Sequence, residues 1–234
     1  MRESSAPEFA RLVVRSPLLG RGMPRGHGRP VLLIPGFGLP DVSLELLSRW
    51  LRARGYRTHR SRIGVNAGCS ETQCERLEQR LEQLAADSGE RVAIVGHSRG
   101  GILGKALASA RPDLVAGIVT LGSFTYASPR RTRGKLGPDA QVARMVASGH
   151  LPNLASPRCL RGGCPTRFRR ALTGSFPSSV GYVSIYSRGD VLVPAAGCRH
   201  PAARHVEVNA THVGLAHNAA VYRHVARALP AFWS

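Results

Sequence analysis

The 234-residue chain has no apolar run that approaches the length of a membrane span. Its first 29 residues hold only Leu12-Val13-Val14 and Leu18-Leu19 as apolar clusters, interrupted by Arg15 and Pro17, so the apolar core of a secretory signal is missing. The expectation is an irregular leader over residues 1–29, ending in the Gly/Arg/Pro-rich linker Gly20 to Pro30, and a cytoplasmic protein. Lysine is almost absent, with Lys105 and Lys135 alone, and acidic side chains are few, 14 against 33 basic ones, for a formal charge of +19. Such a charge draws in anionic partners. The arginines are nevertheless scattered, with no nucleic-acid-binding motif and no interleaved aromatics, so no specific nucleic acid is expected. Two denser groups, Arg130, Arg131, Arg133 and Lys135, then Arg158, Arg161, Arg167, Arg169 and Arg170, read either as solvated surface or as a site for an anionic substrate or surface.

Cysteine is sparse and odd in number: Cys69, Cys74, Cys159, Cys164 and Cys198 leave at least one thiol unpaired in a monomer. Cys74 falls on the stripe Cys74, Leu77, Leu81, Leu84 and reads as a thiol packed in an apolar face. Cys159 and Cys164 close a short Gly-containing loop that an oxidising compartment could bridge. No regular Cys/His ligand set accompanies them, so neither a metal nor an organic cofactor is expected.

What is present is 43% apolar residues, enough for one substantial core, arranged as alternating strand and helix patterns. Val31 to Ile34, Tyr56 to Ser61, Arg91 to Val95, Leu114 to Leu121, Gly181 to Tyr186 and Arg204 to Val208 read as strands. Helices are predicted over Asp41 to Arg54, from Ser70 with a capping box to Gln73, over Ile102 to Ala110, and over Leu215 to Leu229. This alternation implies an α/β domain with a mostly parallel sheet covered by helices on both faces. It breaks between Ser123 and Val180, a stretch too long for an ordinary connection, with one helix predicted at Asp139 to Ala147. That segment is read as a cap inserted into the domain.

Within the alternation, Gly96-His97-Ser98-Arg99-Gly100 stands between a strand and a helix. A serine on so sharp a turn is strained, and its neighbours two residues away must be small, which Gly96 and Gly100 satisfy. A hydroxyl is a poor nucleophile until a base takes its proton, and that base must be held in one tautomer by an acid. Asp190 and His212 each lie just beyond a predicted strand, on the same rim as Ser98, in the chain order Ser, Asp, His. The other candidates fit less well. His97 adjoins the nucleophile and should point away, His217 lies in the last helix pattern, and His200 and His205 lie before or within the last strand. Asp113 and Asp139 compete poorly with Asp190. A tetrahedral oxyanion needs prearranged donors, and the backbone N–H groups of Arg99 and of Phe37, in the turn Pro35-Gly36-Phe37-Gly38, are placed to supply them.

These motifs, with Ser184 to Asp190 and Thr211-His212-Val213-Gly214-Leu215, resemble the α/β-hydrolases of the bacterial lipase and esterase type over most of residues 30–234. The resemblance implies an α/β-hydrolase fold with a cap over 123–180, Ser98, Asp190 and His212 as nucleophile, acid and base, Phe37 and Arg99 as oxyanion donors, and no cofactor. It implies a serine hydrolase acting on a small ester or lipid through an acyl-enzyme. An acyltransferase or thioesterase would use the same groups, and a non-catalytic binding module would use none of them. Two positions depart from the pattern. Pro35 stands where a histidine often precedes the oxyanion glycine, and Arg99 stands where the nucleophile's neighbour is usually apolar, which argues against a purely apolar acyl pocket.

Overall fold

A computed structural model describes residues 22–125 and 166–234. Residues 1–21, the helix predicted at Asp139 to Ala147, Cys159, Cys164 and most of the expected cap lie outside the described residues. Six strands form a single sheet: β1 (Pro30–Ile34), β2 (Arg57–Arg60), β3 (Val92–His97), β4 (Val115–Leu121), β5 (Gly181–Tyr186) and β6 (Arg204–Glu207). Their order is β2-β1-β3-β4-β5-β6, and every pairing is parallel. Helix α1 (Glu45–Ala53) links β1 to β2, α2 (Ser70–Ser88) returns across β1 to β3, and α3 (Arg99–Ala110) leads to β4. Beyond it lie α4 (Thr166–Thr173), the single turn α5 (Ala195–Cys198) and α6 (Ala219–Ala228).

Strand residues alternate between two cores. Val31, Leu33, Val95, Val119, Leu121 and Ile185 pack against Leu47 and Leu51 of α1 and Val221 and Val225 of α6. Leu32, Ile34, Ile94 and Ile118 face the other way, onto Leu77, Leu81 and Leu84 of α2 and Leu103 and Leu107 of α3. Burial on both faces is why these strands read as unbroken apolar runs. The chain moves from β1 toward one edge of the sheet and from β3 toward the other. A crevice therefore opens at their adjacent C-terminal ends, the position where open α/β sheets bind ligands.

Three local expectations are corrected. Residues Asp41–Leu44 form a 3-10 turn before α1, so the predicted helix is two elements. The last helix is interrupted at Asn218, whose side chain accepts from the N–H groups of Ala220 and Val221 and starts α6 afresh, after a separate 3-10 turn at Gly214–His217. Ser70 does not cap α2: Cys69 holds the cap position, its side chain making no capping hydrogen bond, and the Ser70 hydroxyl accepts instead from Arg99. Cys74 packs beside the second core as expected, and burial pushes its thiol pKa up. Leu81→Ala should lower unfolding free energy in urea by about 2–5 kcal/mol, whereas Gln79→Ala on the exposed face of α2 should change it by under about 0.5 kcal/mol.

Candidate active site

At the end of β3 the backbone turns so tightly that Ser98 takes φ 52° and ψ −120°, with its N–H bonded to the Leu121 carbonyl at 2.8 Å. Such a conformation costs on the order of 1–3 kcal/mol, which the surrounding packing must offset. The turn closes because two side chains are missing. A Cβ at Gly96 would lie 2.5 Å from the backbone of Gly100, and one at Gly100 would lie 2.2 Å from the Ile34 carbonyl oxygen. Strand and helix can therefore touch, and Ser98 stands at the crevice beside the Pro35–Gly38 turn.

The structure brings Ser98, Asp190 and His212 together from three loops. His212 Nε2 is 3.0 Å from Ser98 Oγ, and His212 Nδ1 is 2.7 Å from Asp190 Oδ2. Asp190 is buried and accepts at its other oxygen from the N–H groups of Leu192 and Val193, at 2.9 and 2.8 Å. A carboxylate held this way accepts a hydrogen bond from His212 Nδ1–H and leaves Nε2 to accept from the serine hydroxyl. Ser187, fully enclosed, ties the two loops to each other. Its hydroxyl accepts from Gly189 N–H at 3.0 Å and from Ala210 N–H at 3.3 Å.

The competing residues lie elsewhere. Asp113 pairs with Arg111 at 2.9 Å, ahead of β4 and away from this rim, and the guanidinium holds its carboxyl below the usual carboxylate range. His200 packs among Phe176 and Tyr182, and burial lowers its pKa to about 4. His205 contacts the His200 carbonyl at 2.8 Å, and His217 lies in the 3-10 turn before α6. Asp139 is outside the described residues. Among the described residues no group of His, Cys, Asp and Glu could hold a metal ion. No described helix is long and apolar enough to cross a membrane.

The side chain of Arg99 turns toward the loop that carries Asn66 and Gly68. It is buried and bonds to Asn66 Oδ1 at 2.7 Å, the Gly68 carbonyl at 2.5 Å and Ser70 Oγ at 3.1 Å, with its guanidinium 5.8 Å from the Phe37 ring centre. Of the two arginine groups, the first, together with Arg158 and Arg161 of the second, lies outside the described residues, and Arg167 is paired with Glu78 at 2.9 Å.

Two further contributors are not apparent from the sequence. Gly122, at φ 56°, leaves room for Asp190 and His212. A Cβ there would lie 3.1 Å from Asp190 Oδ2 and 3.3 Å from His212 Nδ1. His97 turns away from Ser98 as its position implies, but its Nε2 meets the His212 carbonyl at 3.0 Å, with the two rings 5.2 Å apart. A carbonyl only accepts, so Nε2 carries the proton and the ring is neutral. Burial and the neighbouring His212 lower the His97 pKa to about 4.

This burial has a consequence for stability. The unfolded chain binds a proton on this ring below about pH 6.5 and the folded chain only below about 4, so stability falls as pH drops through that window. His200 adds a loss in the same direction. His97→Gln should shrink the difference between urea unfolding free energies measured at about pH 7.5 and about pH 4.5. An equal difference in the variant would show that His97 is not held neutral.

No family model matches the chain. A triacylglycerol lipase of Vibrio cholerae is 37% identical over 135 residues, a region that covers 54% of this chain and 43% of the lipase. The aligned part is thus less than half of that relative's length. Among solved structures, a metagenomic carboxyl esterase superposes with a TM-score of 0.63 at 18% identity, covering 88% of this chain and 77% of the esterase. A thioesterase domain from the curacin biosynthetic pathway superposes with a TM-score of 0.57 at 16% identity, covering 85% and 91%. With its parallel sheet and serine elbow, the chain has the α/β-hydrolase fold and is similar in sequence to a bacterial triacylglycerol lipase over part of its length.

Proposed function

We propose that the chain is a serine hydrolase that cleaves carboxylic esters through an acyl-enzyme. The observation that carries this reading is the hydrogen-bonded line from Asp190 through His212 to Ser98 at the crevice. In the proposed reaction Ser98 Oγ attacks the ester carbonyl while His212 Nε2 takes the hydroxyl proton. The negative oxygen of the tetrahedral intermediate is met by the backbone N–H groups of Phe37 and Arg99. The carbon–oxygen bond to the alcohol then breaks, and His212 returns the proton to the leaving alcohol. Water attacks the acyl-enzyme with His212 again as base, and the carboxylic acid leaves with Ser98 restored. Asp190 holds His212 in the required tautomer and stabilises the imidazolium that forms in each step.

Likeness to a lipase and an esterase supports an ester substrate. The curacin-pathway thioesterase domain supports a second reading, in which the acyl group arrives as a thioester and the same residues act. Turnover of matched oxygen esters and thioesters of graded chain length separates the two readings.

Ser98→Ala should lower turnover by at least about a thousandfold without loss of the folded state, and a fluorophosphonate should label the native chain at Ser98. Asp190→Asn should lower kcat by roughly a hundredfold or more with little change in KM, because the tautomer is lost and substrate contacts are not. Undiminished turnover by folded Ser98→Ala would remove Ser98 as the nucleophile, whereas a native chain that turns over no ester or thioester would leave the binding-module reading in its place.

A further inference from the structure

Asn66 is fully buried on the loop between β2 and α2, and all four of its polar groups are occupied. Its Nδ2 donates to the Pro35 carbonyl at 2.7 Å, its own carbonyl accepts from Gly38 N–H at 2.9 Å, and its N–H donates to the Leu39 carbonyl at 3.2 Å. Those three bonds fasten the turn on both sides of Phe37. The remaining group, Oδ1, accepts from the Arg99 guanidinium. The orientation of the amide admits one assignment, since a carbonyl cannot donate to it and an arginine cannot accept from it.

The rest of the turn's surroundings agree with this. Beyond Leu39, Asp41 accepts from the N–H groups of Ser61 and Arg62 at 3.0 Å each, which pins the following 3-10 turn to the end of β2. Between these anchors the turn depends on Asn66, and Asn66 is oriented by Arg99. The guanidinium is itself held by the Gly68 carbonyl and Ser70 Oγ, so it is a fixed brace and not a mobile surface charge.

From this geometry we infer that the Arg99 side chain, acting through Asn66, is a positioning residue that holds the Phe37 N–H in place for the oxyanion. The inference rests on the serine-hydrolase reading and extends it. One residue then serves both oxyanion donors: its backbone supplies one N–H, and its side chain fixes the turn that supplies the other. The benefit appears only where charge develops on the substrate oxygen, because donors that are already aligned need no reorganisation in the transition state. Lysine could not replace it fully, since a single ammonium lacks the planar fork that reaches three acceptors at fixed angles.

The test uses the full chain, with Ser98 titrated by a fluorophosphonate so that rates are expressed per competent site. Arg99→Met should lower kcat per titrated site by about ten- to a hundredfold, with KM for a short-chain ester changed by less than about threefold. Affinity for an alkyl boronic acid, which forms a tetrahedral adduct on the serine, should fall in parallel with kcat. Arg99→Lys should fall between the two. If Arg99→Met does not fold, Asn66→Asp decides the question. It keeps an acceptor for Arg99 but removes the donor to the Pro35 carbonyl, and it should show the same fall in kcat and boronic acid affinity. An unchanged kcat per titrated site in the folded variants, with only the fraction of titratable enzyme reduced, would reduce Arg99 to a structural role and overturn the inference. A wild-type chain that neither cleaves esters or thioesters nor takes up the fluorophosphonate would instead overturn the hydrolase reading, and this inference with it.

Discussion

The approach of the α3 N-terminus to the end of β1 is the contact on which the candidate site depends. Where Gly100 meets the Ile34 and Pro35 carbonyls, no side chain can intervene. Because that gap is closed, β3 can pass directly into α3, and Ser98 is forced into its left-handed conformation at the crevice. The same contact sets the Pro35–Gly38 turn beside the serine, so the proposed nucleophile and oxyanion donors share one corner of the sheet. A strained residue persists only where its surroundings over-determine it. Here the strand pairings of β3 with β1 and β4, and the bond from Ser98 N–H to Leu121, provide that constraint.

Around this corner, buried polar groups are arranged in tiers. Asp190 and His212 stand next to Ser98, and each is backed by other groups: the loop N–H groups of Leu192 and Val193 behind the carboxylate, His97 against the His212 carbonyl, and Ser187 between the two loops. On the other side Arg99 and Asn66 brace the turn. A buried polar group without a partner costs on the order of 1–3 kcal/mol, so such groups rigidify a site only when their bonds are made. The site therefore gains its precision from polar contacts that lie one step away from the reacting atoms.

The large positive charge is handled differently. On the α2–α3 side, Glu78 is shared by Arg111 and Arg167, and Arg111 is also bonded to Glu82 and Asp113. On α1, Glu45 gathers Arg49, Arg52 and Arg60. Glu45 and Glu78 are thus each shared by several guanidinium groups. These pairs are mostly exposed and contribute little individually.

Much of this molecule is legible in its sequence, for reasons of local physics. Strands buried on both faces must be largely apolar, so runs such as Val31-Leu32-Leu33-Ile34 and Val92-Ala93-Ile94-Val95 reveal the centre of the parallel sheet. A serine at a strand-to-helix turn needs glycines two residues away, so Gly96, Ser98 and Gly100 identify the elbow, and residues just after strands identify Asp190 and His212. Element ends were harder to read, because caps depend on geometry: Ser70 faces Arg99 instead of its own helix, and Asn218 divides what periodicity presents as one helix. Arg99 shows the boundary most clearly. Its backbone position follows from sequence alone, since it must come next after the nucleophile. The direction of its side chain was decided by tertiary structure, which brings Asn66, 33 residues away in the chain, to within 2.7 Å of the guanidinium. No local pattern contains that distance, because it arises only when α2 crosses back over β1 and sets the loop before it against the turn beside the elbow.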